Sequence, residues 1–124
     1  MNPPDDNLAS VLARHAIDLP EPQVALLARY CELLWEWNGK LNLTRHTDYE
    51  KFVVRDVVDS LTLAGFLERG ERVLDVGSGG GTPGAILAVV RNDLQVSLCE
   101  SVGKKARALA DIVERLGLST PVLH

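Results

Sequence analysis

Apolar residues recur at helical spacing through the first half of the chain and in short continuous runs through the second. Residues 7–17 form a brief candidate helix. In the next one Val24, Leu27, Tyr30, Leu34 and Trp37 fall on one face, and Pro20 and Pro22 flank its start. Asn38-Gly39 predicts its end, with Gly39 suited to the left-handed position after a helix. Residues 40–48 predict a loop, and 49–67 a third helix with Val54, Val57, Val58 and Leu61 on one side. The period then changes. Arg72-Val73-Leu74-Asp75-Val76 is a short apolar run bounded by charge and glycine, which predicts a buried strand. A glycine-rich turn leads to a helix over 83–91. There the Thr82 hydroxyl is placed to cap the first turn, and Pro83 to take the first helical position, where its missing N–H lacks a partner anyway. Residues 95–100 predict a second strand. A helix over 103–116 follows, with Ala106, Leu109, Ala110, Val113 and Leu116 inward and Gly117 past its end. Residues 121–124 begin a third strand.

Strand alternating with helix is the βαβ pattern of a parallel sheet with right-handed crossovers. The expected architecture is α/β: one domain over 1–124, with a helical part over 1–70 and a partial Rossmann-like sheet of two to three parallel strands over 71–124. The helical part is expected to cover a face or an end of that sheet. Such sheets bind ligands at the carboxyl ends of their strands. The chemistry is therefore expected just after Val76 and just after Leu98.

Composition narrows the classes. The chain has 124 residues, room for one domain, and a formal charge of −4, which exerts no global pull on nucleic acid. Basic residues nevertheless gather locally: Lys40, Arg45, Lys51 and Arg55 beside His46, and Lys104, Lys105 and Arg107. No apolar run approaches the ~18 residues of a membrane span, and the acidic amino end lacks the apolar core of a secretory signal. Cys31 and Cys99 lack the spacing of a metal site or redox pair and are read as cytoplasmic thiols. His15, His46 and His124 have no partner at ligand spacing, so no metal is expected. Trp35 and Trp37 are read as core aromatics.

The chemistry concentrates in Asp75-Val76-Gly77-Ser78-Gly79-Gly80-Gly81-Thr82-Pro83-Gly84. A nucleoside triphosphate loop requires Gly-Lys-Ser/Thr at its end, whereas Gly84 is followed by Ala85 and Ile86. Gly79, Gly81 and Gly84 satisfy G-x-G-x-x-G, but a pyrophosphate would then approach Asp75, a like charge. S-adenosylmethionine carries no phosphate, and its ammonium and sulfonium suit an acid at the strand end. Its ribose calls for a carboxylate ending the second strand. Glu100 stands there, 23 positions after Gly77, against about 20 for a ribose-binding acid in such folds.

With these residues in view, the sequence resembles the RsmG (GidB) family, which methylates N7 of a guanine in bacterial small-subunit ribosomal RNA. The resemblance rests on Gln23, Tyr30, Leu34-Trp35-Glu36-Trp37-Asn38, Leu41-Asn42-Leu43-Thr44, Arg55 and Asp59-Ser60-Leu61. It continues through the run from Arg72 to Gly79, Pro83-Gly84 and Glu100-Ser101-Val102-Gly103-Lys104-Lys105. It implies a class I methyltransferase sheet, contacts to S-adenosyl-L-methionine from Gly77, Ser78, Gly79 and Thr82, and a ribose held by Glu100. It also implies RNA-contact candidates Asn38, Asn42, Arg55, Lys104 and Lys105. Two positions depart from the family pattern: Thr82 replaces a larger apolar residue, and Asp56 replaces His. The family's later segments, which complete a seven-stranded sheet and the adenine pocket, are expected to be missing. The first strand's apolar outer edge is then expected to be open and to favour self-association.

Guanine N7 offers a lone pair and no proton, so no general base and no catalytic side chain is expected. The alternatives are a non-catalytic nucleoside-binding or assembly module and a small-molecule methyltransferase using the same donor.

Overall fold

The computed structural model describes residues 7–44 and 46–124; Arg45 of the first basic group and the acidic amino end, 1–6, lie outside them. Helix α1 (Leu8–Arg14) starts where Asn7 Oδ1 accepts the Ser10 amide at 2.9 Å. Helix α2 (Glu21–Asn38) buries Leu27, Tyr30, Cys31, Leu33 and Leu34. Its end differs from expectation. Gly39 is right-handed at φ −67°, because the chain tightens instead, with the Lys40 and Leu41 amides both donating to Trp37 O.

The third predicted helix is broken in phase. Helix α3 (Tyr49–Lys51) runs into a π turn (Phe52–Val57) and then α4 (Val58–Ala64), which ends three residues earlier than expected. The Val58 amide donates to Val53 O, five residues back. That extra residue rotates the inward face, so Phe52, Val53 and Val57 are buried while Val54 and Val58 are exposed.

Strands β1 (Arg72–Val76), β2 (Gln95–Cys99) and β3 (Val122–Leu123) lie parallel in the order β1-β2-β3, with Asp75 opposite Leu98 and Val76 opposite Cys99. Helices α5 (Gly84–Val90) and α6 (Gly103–Arg115) are the crossovers. Within α6, Ala108 and Ile112 join Ala106, Leu109 and Val113 inside, whereas Ala110 is exposed.

Two apolar clusters organise the molecule. Leu87, Leu109 and Val113 meet Val96 and Leu98 between the helices and one sheet face. Ala85, Ile86, Val89, Ala108 and Ile112 meet Leu27, Tyr30, Leu34 and Phe52 on the outer side. The amino-terminal helices thus lie mainly over α5 and α6, and only Ala64 at the end of α4, with Leu67 beyond it, joins the cluster against the sheet. The opposite sheet face has no cover among the described residues: Leu74 is 57% exposed, Val76 73% and Leu123 49%. Strand β1 is therefore half-exposed, not buried, and its outer edge pairs with no strand among the described residues.

Candidate functional site

The bend after β1 is hooked onto its neighbour. The Gly77 and Ser78 amides both donate to Cys99 O, at 2.8 and 3.1 Å, so the end of β2 fixes where the bend begins. Ser78 is turned inward, its hydroxyl donating to Asp75 O at 2.9 Å and its carbonyl accepting the Gly81 amide at 2.7 Å. Gly79 sits at φ +56°, a left-handed conformation that glycine adopts without strain. This aims its amide at Glu100, whose Oε1 accepts it at 2.8 Å. The other oxygen accepts the Val102 amide at 2.8 Å. The donors at Val102 and Gly79 hold this carboxyl below the usual carboxylate range in spite of burial. Each oxygen keeps a further acceptor position. A methyl group added at Gly77 or Gly79 would meet no atom within 4 Å, so the bend is open on that side. An acid set against an open glycine bend at two adjacent strand tips fits a ribose and the chain attached to it.

Asp75 is engaged within the turn. Its Oδ2 accepts the Gly84 amide at 3.0 Å and so caps α5 from across the turn. Pro83, not Thr82, precedes the helix, and no hydroxyl caps it. Burial raises the Asp75 carboxyl above its usual range, against the lowering effect of Gly84 and Ser78. Gly84 is required for this closeness: a Cβ there would collide with the Leu98 side chain and lie 2.7 Å from Asp75 Oδ2.

Behind the bend stands Tyr30. Its phenol, 1% exposed, donates to Gly80 O at 2.5 Å, with the Thr82 hydroxyl also within hydrogen-bonding reach. Thr82 therefore faces the helical layer. Burial pushes the Tyr30 phenol far above its usual range, so it stays a donor. Sequence reasoning placed Tyr30 on an apolar face and gave it no role. The signal was available, since a buried tyrosine hydroxyl needs a partner.

The loop after α2 completes the surroundings. Asn38 Oδ1 accepts the Leu43 and Thr44 amides at 2.8 and 3.0 Å, so this candidate shapes the loop from within. The Leu43 carbonyl then lies against Gly80 of the bend. Asn42, Leu43, Thr44 and Lys105 line an open recess of about 730 Å³ there. Lys104 borders a second, smaller recess. Arg55 is exposed on the π turn and lines neither. The histidines find partners: His15 with Glu50, His46 with Asp56 at 3.9 Å, and His124 with Ser101 O. Among the described residues no cluster of three or more His, Cys, Asp or Glu is placed to hold a metal ion, and no helix is long and apolar enough to cross a membrane.

The fold is that of a class I methyltransferase, carried through its first three strands. A Plasmodium falciparum protein-L-isoaspartate O-methyltransferase, solved with S-adenosyl-L-homocysteine, aligns over 99% of this chain and 63% of its own, with a TM-score of 0.59 at 17% identity. A point mutant of MtNAS, solved with S-adenosylmethionine, aligns over 94% and 44%, with a TM-score of 0.50 at 17% identity.

Residues 23–124 match the family described as GidB, rRNA small subunit methyltransferase G, and the chain belongs to that family. The ribosomal RNA small subunit methyltransferase G of Rhodopirellula baltica is 45% identical over 118 residues, 95% of this chain and 51% of the relative. That of Chromobacterium violaceum is 50% identical over 107 residues, 86% and 51% respectively. The chain spans about half the length of these curated relatives.

Proposed function

We propose that the chain carries the donor half of an S-adenosylmethionine-dependent methyltransferase acting on N7 of a guanine in small-subunit ribosomal RNA, in the cytoplasm. The seating of the Glu100 carboxylate against the Gly79 amide carries this reading, because it sets a ribose acceptor beside an open bend. Gly77 and Gly79 provide close approach, Glu100 takes the ribose hydroxyls, and Ser78 and Thr82 hold the bend from inside. The bound donor supplies an electrophilic methyl group. Guanine N7 attacks with its own lone pair, so the protein's task is alignment, and holding reactants in line is worth roughly 7–11 kcal/mol. Asn42, Lys104, Lys105 and Arg55 are the candidate RNA contacts, and Asn38 acts through the loop. Calorimetric titration of S-adenosylmethionine into the chain tests the reading: micromolar binding that Glu100→Ala abolishes supports it, and no heat overturns it.

The uncovered sheet face at Leu74, Val76 and Leu123 favours a second reading, a nucleoside-binding module completed by another copy along β1. Donor binding without methyl transfer to ribosomal RNA, from a dimeric species, would select it.

A further inference from the structure

We propose that the end of α2 and the first turn of α6 form a seat for the phosphodiester backbone of an RNA strand, in which Lys40, Lys104 and Arg107 take phosphates flanking the reacting nucleotide. The inference rests on the RNA substrate proposed above and deepens it by adding Lys40 and Arg107. Trp37, Lys40, Leu41, Lys104 and Arg107 line one recess of about 250 Å³. The cations reach it from segments more than sixty residues apart in the chain. All three are exposed, and none has a carboxylate within 4 Å among the described residues.

Several cations elsewhere are matched. Arg29 faces Glu32, Arg91 faces Asp93, and Arg115 faces Glu36 and Asp111. On a chain of net charge −4, three unmatched cations around one recess make a local anion site. The nearby acid is already engaged: Asp111 Oδ2 accepts the Trp37 indole N–H at 2.8 Å and faces Arg115 at 3.5 Å. That bond also fixes the indole, over which Lys40 Nζ stands at 5.3 Å.

The chemistry selects the ligand. A sulfonium-bearing donor would be repelled here. Single-stranded RNA alternates anionic phosphates with flat apolar bases, which matches cations around an aromatic and aliphatic floor. Arg107 adds a forked donor suited to phosphate oxygens. Leu41 and Lys104 of this recess are chain neighbours of Asn42 and Lys105 in the larger one, whose Leu43 lies against the glycine bend. A strand seated in the first recess therefore delivers its next nucleotide to the second.

The test is fluorescence anisotropy of a labelled single-stranded RNA oligonucleotide, titrated with the full chain from about 50 to 200 mM salt. Lys40→Gln and Arg107→Gln are each expected to weaken binding and to cut the slope of log K against log salt by about 0.7, the value for one phosphate contact on a single strand. Lys40→Arg keeps the slope. Circular dichroism matching the unsubstituted chain excludes misfolding. Slopes unchanged in both glutamine variants, no RNA binding by the chain, or polyglutamate displacing the RNA as well as unlabelled RNA does would each overturn the seat. A chain that gives no heat with S-adenosylmethionine, yet whose RNA slopes respond as expected, sinks the donor reading and leaves the seat standing.

Discussion

Replacing Tyr30 by Phe removes a single hydroxyl and keeps the ring that fills the space beside Phe52, 6.0 Å away between centroids. No cavity opens, so the effect is confined to the phenol's hydrogen bonds, to Gly80 O and with the Thr82 hydroxyl. The Gly80 carbonyl loses the phenol that donates to it at 2.5 Å, its only donor among the described residues. A buried acceptor left without a partner costs about 1–3 kcal/mol. Urea denaturation should show that loss as a lower midpoint with an unchanged slope. The same bond holds the bend in register with Glu100, so the variant should also bind S-adenosylmethionine more weakly, by roughly 5-fold or more if about 1 kcal/mol of the loss reaches the ligand. Calorimetric titration reads that directly. A variant as stable as the parent would refute the hydrogen-bond argument. One that is less stable but binds the donor equally well would refute the positioning role.

Gly84→Ala forces a methyl group into the Leu98 side chain and against Asp75 Oδ2, so its melting temperature should drop by the equivalent of about 1–3 kcal/mol of overpacking. The Glu100 carboxyl lies below its ordinary value of about 4.3 in the folded state, so its stabilisation is present above that value and fades as pH falls through the lower, folded one. The stability gap between the parent and Glu100→Gln should therefore be flat from pH 7 to about 5 and narrow below about 4.3; a gap that widens on acidification would contradict the assignment. Leu74→Lys with Val76→Lys places charge on an exposed sheet face, so folding should survive while self-association, read by light scattering, diminishes. An identical mass distribution would exclude that face and edge as the contact.

Most of the architecture was legible because each element carries its own local signal. The strands at 72–76 and 95–99 are apolar runs between glycine and charge, and α6 shows its face and its terminal glycine. The failures share a cause: they depend on contacts distant in sequence. Val54 and Val58 fit a regular helical stripe, and only the π turn moves them outward. Thr82-Pro83 has the signature of a capped start, yet Asp75 supplies the cap from across the bend. Leu74 and Val76 are as apolar as any core strand, but which sheet face is covered depends on helices that pattern alone does not place. At the site, the bend and Glu100 were readable from spacing. The anchoring by Tyr30 and the convergence of Lys40 with Arg107 were not, since each joins segments dozens of residues apart.

Both oxygens of Glu100 are tied to amides before any ligand arrives. A free glutamate side chain has many rotamers, and freezing them costs up to about 1.5–2 kcal/mol. Here that entropy is lost during folding, so in the proposed function an arriving nucleoside would meet an acceptor already oriented. On that proposal, affinity at the bend is coupled to the integrity of the β1–β2 pairing, and loosening the sheet would weaken capture of the ligand before it unfolded the chain.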